Sequence, residues 1–224
     1  MITRQLIVVR HGETVHNVAG IAQGWNDSAL SERGQQQVAA LASKLASMNV
    51  DAIYSSPLER AMSTARAIAS ATNLPIETLD ELREMNYGGW EGRSFLDVRR
   101  DDAAMYEEWI ANADCPCPGG ESHNDVRRRF AAALEKIRGA TPVVVTHGTA
   151  IRIGVTVLLD LPVMASRHFA QDNAAMNVFM RRGGRWVLKG WNVTTCHPDR
   201  AEGEWRDPLP TGDGGPSTRS ARSG

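Results

Sequence analysis

The sequence predicts a three-layer α/β/α sandwich with a mainly parallel central sheet and an antiparallel hairpin at its edge. Three observations carry that expectation. Leu6-Ile7-Val8-Val9 and Val143-Val144-Val145 are continuous apolar runs, as in strands covered on both faces. Strand-like and helix-like patterns alternate along the chain, as they do where crossover helices join parallel strands. Val178-Phe179-Met180, Gly183-Gly184 and Trp186-Val187-Leu188 read as a hairpin.

The remaining elements follow in order. Ser31 opens a helix whose Val38, Leu41, Leu45 and Met48 form an apolar stripe. Asp51 to Tyr54 is a short strand. Ser56-Pro57-Leu58-Glu59 has the form of a capping box, with Ser56 as N-cap, Pro57 at the first helical position and Glu59 closing the box. The helix behind it carries Leu58, Ala61, Ala65 and Ile68 on one face. Ile76 to Leu79 is a third strand. Between Asn86 and Gly120 the pattern is irregular, with two short helical pieces holding Phe95 and Val98, then Met105, Trp109 and Ile110. This stretch, about residues 86–120, reads as an insertion covering a site. Ser122 opens a helix with Val126, Phe130, Leu134 and Ile137 facing inward, and Arg127-Arg128-Arg129 is expected on its solvated face. Pro142 to Thr146 is the second buried strand. A helix from Thr149 ends before Asp160-Leu161-Pro162. One domain is expected over residues 1–197, with 198–224 a disordered tail dominated by Gly, Pro, Ser, Arg and Asp.

Composition excludes several classes. A net charge of -1 over 224 residues argues against a nucleic-acid partner. No apolar run approaches the ~18 residues of a membrane span, and no membrane partner is expected. Three Cys and the lack of a signal-peptide pattern at Met1-Ile2-Thr3-Arg4 point to the cytoplasm. Cys115-Pro116-Cys117-Pro118 lacks a second Cys pair, so no metal is expected there. The basic residues are lopsided, with only Lys44, Lys136 and Lys189 among 25 Lys plus Arg. That bias is either genomic or a demand for planar anion-binding forks.

Chemistry concentrates at a few places. Both buried strands end in His-Gly, at His11-Gly12 and His147-Gly148, and His16, His123, His168 and His197 lack a following Gly. Parallel strands present their C-terminal ends on one sheet edge, where ligands of α/β folds bind, so the two imidazoles can meet there. Arg60 falls in the first turn of a helix, against the dipole, which suits a site for an anion. Glu84 follows the third strand in Leu82-Arg83-Glu84-Met85. The other four His show no ligand spacing and are expected at the surface or in minor polar contacts.

These residues together resemble the histidine phosphatase superfamily, the branch that includes cofactor-dependent phosphoglycerate mutases. Arg10-His11-Gly12-Glu13-Thr14 with Asn17, Gln23-Gly24, Leu30-Ser31, Ser55 to Ala61, Leu82-Arg83-Glu84, Gly89-Trp90-Glu91-Gly92, Gly119-Gly120-Glu121-Ser122 and Val145-Thr146-His147-Gly148 fall in the family's order. The resemblance implies that His11 attacks phosphorus and forms a phosphohistidine. It further implies that Arg10, Arg60 and His147 surround the transferring oxygens and that Glu84 exchanges the proton with the leaving oxygen and then water. Arg10, Asn17, Gln23, Gly24, Arg60 and Thr149 are implied to bind substrate, with no metal and no cofactor. His147-Gly148-Thr149-Ala150 departs from the His-Gly-Asn-Ser of the mutases, which points to a phosphatase acting on a small phosphorylated metabolite. A mutase and a non-catalytic phospho-ligand protein are the alternatives. Of Trp25, Tyr87, Trp90, Phe95 and Trp109, two are expected to line the pocket. A homodimer is compatible with the sequence.

Overall fold

In the computed structural model, which describes residues 3–195, six strands form one sheet in the order β3-β2-β4-β1-β5-β6. They are β1 (Gln5–Arg10), β2 (Ala52–Ser55), β3 (Ile76–Thr78), β4 (Pro142–Thr146), β5 (Met176–Arg182) and β6 (Arg185–Val193). The first four of these are mutually parallel, and β5 and β6 add the expected antiparallel ribbon beside β1. Pleating sends Leu6, Val8 and Val144 to one face, where they meet Phe130 of α6 (His123–Lys136) and Ile151 and Val155 of α7 (Gly148–Leu158). Ile7, Val9, Val143 and Val145 go to the other, against Leu41 and Leu45 of α2 (Glu32–Ala46) and Ala61, Ala65 and Ile68 of α3 (Glu59–Thr72). Covered on both sides, these strands carry no polar alternation. Among the described residues no helix is long and apolar enough to cross a membrane.

The irregular stretch contains α4 (Phe95–Asp101) and α5 (Ala103–Ala111). With Trp90, Tyr106, Trp109 and Val98 it builds a third apolar cluster against Val126 of α6 and Ala150 and Ile153 of α7. A further short helix, α1 (Val15–Ala19), has no buried residue, so its sequence shows no inward stripe.

Three local expectations are corrected. Ser56 does not cap α3, whose N-cap is Leu58 with no side-chain cap bond. The amides of Glu59 and Arg60 instead donate to the Asp27 carboxylate at 2.7 and 3.4 Å. A distant loop supplies the cap, which no local pattern encodes. The basic triplet is not uniformly solvated. Arg128 is 68% exposed, but Arg127 donates to the Leu161 carbonyl at 2.7 Å and Arg129 turns inward. His123 is not a surface residue: it is buried against Trp109, with ring centroids 4.9 Å apart. The expected tail, with Cys196 and His197, lies outside the described residues.

Candidate active site

The register of the sheet places the two histidines. Arg10 pairs with Thr146 across β1 and β4, so His11 and His147 leave the strand ends side by side. Their ring centroids lie 5.1 Å apart, and both are buried. Gly12 is needed for this packing: a Cβ there would sit 2.5 Å from Val38 Cγ2 and 2.9 Å from the Gly34 carbonyl oxygen.

His11 Nδ1 lies 2.7 Å from the Gly12 carbonyl oxygen. A carbonyl only accepts, so Nδ1 carries the proton and Nε2 keeps its lone pair. Burial first, then the Arg60 and Arg10 charges, hold the imidazole pKa well below its ordinary range. The ring is therefore neutral near pH 7. His147 is depressed in the same way by burial, Arg60 and His11. Its Nε2 lies 2.8 Å from Ser56 Oγ. That hydroxyl also accepts from the Leu58 amide at 3.3 Å, and with a second lone pair and its own proton it can serve either tautomer of His147.

Arg60 is buried, but its fork is not empty. Nη1 donates to the Asn26 carbonyl and to Asp27 Oδ1, both at 2.8 Å, and Nη2 donates to the Gly24 carbonyl at 2.6 Å. The anion expected at this helix start is thus an internal carboxylate. Arg10 donates through Nη1 to the Gln171 carbonyl. Burial lowers its pKa to about 10, opposed first by Glu84, so it stays charged at neutral pH. What remains at the site is two buried guanidinium donors with no protein acceptor, Arg10 Nε and Arg60 Nε, and a buried His147 Nδ1 with no protein partner. Unmet buried donors cost free energy and mark a place for an acceptor-rich ligand.

The implied binding residues divide. Asn17 Oδ1 accepts from the Thr14 amide, the Thr14 hydroxyl and Asn173 Nδ2 at 3.0–3.1 Å, so only its amide protons face outward chemistry. Gln23 is buried, and its Oε1 accepts from Ser28 Oγ at 3.0 Å. Gly24 has φ +54°, and a Cβ on it would fall 1.9 Å from Glu91 Oε1. Glu91 accepts from the amides of Trp25, Asn26 and Tyr87 at 2.8, 3.2 and 3.2 Å. Gly24 therefore shapes the loop that holds Arg60. Thr149 Oγ1 lies 2.6 Å from the Tyr87 hydroxyl and accepts from Arg152 at 3.1 Å.

Glu84 sits at the N-terminus of α7. Its Oε1 accepts from the amides of Met85 and Ala150 at 2.8 and 3.0 Å, and its Oε2 accepts from the Thr149 amide at 3.1 Å. Of the five aromatics, Tyr87, Trp90 and Trp109 are buried in one apolar cluster, and Phe95 packs on it. Tyr87 reaches Thr149 through its hydroxyl, and Trp25 donates from Nε1 to the Glu84 carbonyl at 2.9 Å.

Sequence reasoning missed Gln171 and Asn173. Asn173 Nδ2 donates to the His11 carbonyl at 3.2 Å, and the Ala174 amide does so at 3.1 Å. Their only sequence signal is a polar triplet, Gln171-Asp172-Asn173, just before the hairpin. Among the described residues no group of three or more His, Cys, Asp or Glu is placed to hold a metal ion.

Comparison with known proteins finds relatives over most of the chain. The chain is 35% identical over 198 residues to phosphoserine phosphatase 1 of Hydrogenobacter thermophilus, covering 86% of this chain and 93% of that one. It is 32% identical to the probable phosphoglycerate mutase GpmB of Yersinia pestis, covering 86% and 92% of the two chains. A mycobacterial glucosyl-3-phosphoglycerate phosphatase complexed with VO3 superposes with a TM-score of 0.78 at 32% identity, over 86% of this chain and 100% of that one. The model of the histidine phosphatase superfamily (branch 1) matches residues 6–194, and the chain belongs to that family.

Proposed function

We propose that the protein is a metal-independent phosphomonoesterase of the cytoplasm that hydrolyses small phosphorylated metabolites through a phosphohistidine. The observation that carries this reading is the neutral His11, with its proton held by the Gly12 carbonyl and its Nε2 lone pair free, in the field of two arginines whose Nε donors are unmet. In the first step Nε2 forms a bond to phosphorus as the ester P–O bond breaks. Glu84 gives its proton to the departing oxygen. Arg10, Arg60 and His147 take up the phosphoryl oxygens, and the Asn17 amide adds a neutral donor. In the second step water attacks phosphorus, gives a proton to Glu84 and releases His11. The arginines supply the positive charge that a metal ion supplies elsewhere.

The substrate class follows from the relatives, whose names include phosphoserine and glucosyl-3-phosphoglycerate phosphatases. The likeness to the mutase-named GpmB keeps a second acceptor in view. A panel of phosphorylated metabolites, assayed with chelator present, tests the reading. Release of inorganic phosphate should be unaffected by chelator and lost in His11→Ala. Interconversion of phosphoglycerates faster than phosphate release gives the mutase instead. No turnover of any phosphomonoester gives a binding protein.

A further inference from the structure

We propose that Glu121 and Arg129 are positioning residues that hold the backbone on both sides of Glu84 and so place its carboxyl group. The inference rests on the reading of Glu84 as the proton donor. Arg129 lies inside α6 with its side chain only 15% exposed. All five of its N–H donors are used. Nε and Nη2 grip Glu121 Oε1 and Oε2 at 2.8 and 2.9 Å, a bidentate pair. Nη2 also donates to the Glu84 carbonyl at 2.9 Å. Nη1 donates to the carbonyls of Glu81, at 2.9 Å, and Arg83. Glu121 completes the grip from the other side: its Oε2 accepts from the Asn86 amide, and its own amide donates to the Asn86 carbonyl, both at 2.8 Å.

The chain from residue 81 to 86 has little order of its own. It holds the end of one 3₁₀ turn, Asp80–Leu82, and then runs irregularly. Three of its carbonyls, those of Glu81, Arg83 and Glu84, accept from one guanidinium, while that of Leu82 accepts from Thr146 Oγ1. The pair is not needed to start its own helix, because Ser122 and Asp125 already form the capping box of α6. Nor is it a surface ion pair, since both side chains are less than one-fifth exposed. A planar five-donor fork is the only side chain that can serve one carboxylate and three carbonyls at once, and lysine cannot replace it. The fork thus links the helix after the insertion to the residue that moves the proton.

The test compares leaving groups. An aryl phosphate departs without protonation and an alkyl phosphate does not, so the aryl-to-alkyl ratio of kcat/KM reads the proton donor alone. The folded fraction of a variant cancels in that ratio. Glu84→Gln should raise it by roughly 100-fold or more. Arg129→Lys should raise it roughly 10-fold, as expected for a reacting group displaced on the ångström scale. Glu121→Gln, a milder change, should move it in the same direction. In Glu84→Gln/Arg129→Lys the ratio should rise no further than in Glu84→Gln, because there is no donor left to misplace. A wild-type ratio in both Arg129→Lys and Glu121→Gln, with Glu84→Gln raised, overturns the positioning role and leaves Glu84 as the acid. An unchanged ratio in Glu84→Gln overturns the acid reading and the positioning role with it.

Discussion

Two helices begin at the edge of the sheet where the histidines lie, and each takes its cap from a distant carboxylate. Asp27 caps α3 through the amides of Glu59 and Arg60. Glu84 caps α7 through the amides of Thr149 and Ala150. The difference is in the counter-charge. Asp27 Oδ1 is paired with Arg60 at 2.8 Å. Glu84 is held by the backbone amides of Met85, Thr149 and Ala150, and its charge acts on Arg10. An anion already satisfied by a guanidinium is structural, and it turns Arg60 so that Nε remains unmet. Glu84, gripped by backbone amides and not by a guanidinium fork, is the carboxylate proposed to meet the ligand.

The largest expected effect separates the two caps by reaction. Glu84→Gln should lower kcat/KM for alkyl phosphates by roughly 10²–10⁴-fold. Its cost to folding, one impaired helix cap, should be only about 1 kcal/mol in chemical denaturation. A variant that is destabilised but fully active on alkyl phosphates would make the two caps equivalent.

Acid should strike the α7 side. His123 lines a small cavity with Thr149, Arg152 and Trp109. Burial first, then Arg167 and Arg152, lower its pKa from 6.5 to about 4. The unfolded chain therefore binds this proton before the folded one does. Stability should fall as pH drops from 6.5 toward 4, by about 3 kcal/mol if the whole shift is expressed. Denaturation midpoints across that range, compared with His123→Leu, measure it. The variant should show a flatter profile, and an identical slope would remove His123 as the cause. His11, held well below its ordinary range by burial and by Arg60 and Arg10, should not reduce kcat/KM by its own titration between pH 7 and 6.

Asp27→Asn should behave in the opposite way to Glu84→Gln. It leaves the buried Arg60 charge without its carboxylate, and should cost about 2 kcal/mol of stability. Its aryl-to-alkyl ratio should stay at the wild-type value, since no proton donor is touched. A changed ratio would mean that Asp27 takes part in proton transfer. The smallest effect belongs to Tyr87→Phe, which removes the hydroxyl partner of Thr149 and should cost about 1 kcal/mol with little change in rate.

What the sequence made readable follows from locality. β1 and β4 announce themselves because burial on both faces leaves no polar residue to alternate. The His-Gly pairs at their ends are brought together by a sheet register that any parallel α/β fold supplies. Glu84 becomes visible only through a family pattern, because a single acid in a loop has no local signature. Ser56 and Glu59 spell a local cap for α3, but the actual cap comes from Asp27 across the fold. A charged helix residue such as Arg129 is normally solvated, and its partners at Glu81, Arg83, Glu84 and Glu121 are assembled only by tertiary packing. Asn173 reaches His11 through β5, a neighbour of β1 that lies more than 160 positions away in the chain.

The central claim is that His11 Nε2 receives the phosphoryl group. Rapid acid-free quench of a single turnover, with a ³²P-labelled phosphomonoester in substoichiometric amount, tests it most directly. Label should appear on His11 as a base-stable, acid-labile adduct, rising and decaying within the turnover, and be absent in His11→Ala. Complete release of inorganic phosphate in wild-type protein with no label on His11 at any time, including in the Glu84→Gln variant, would contradict it.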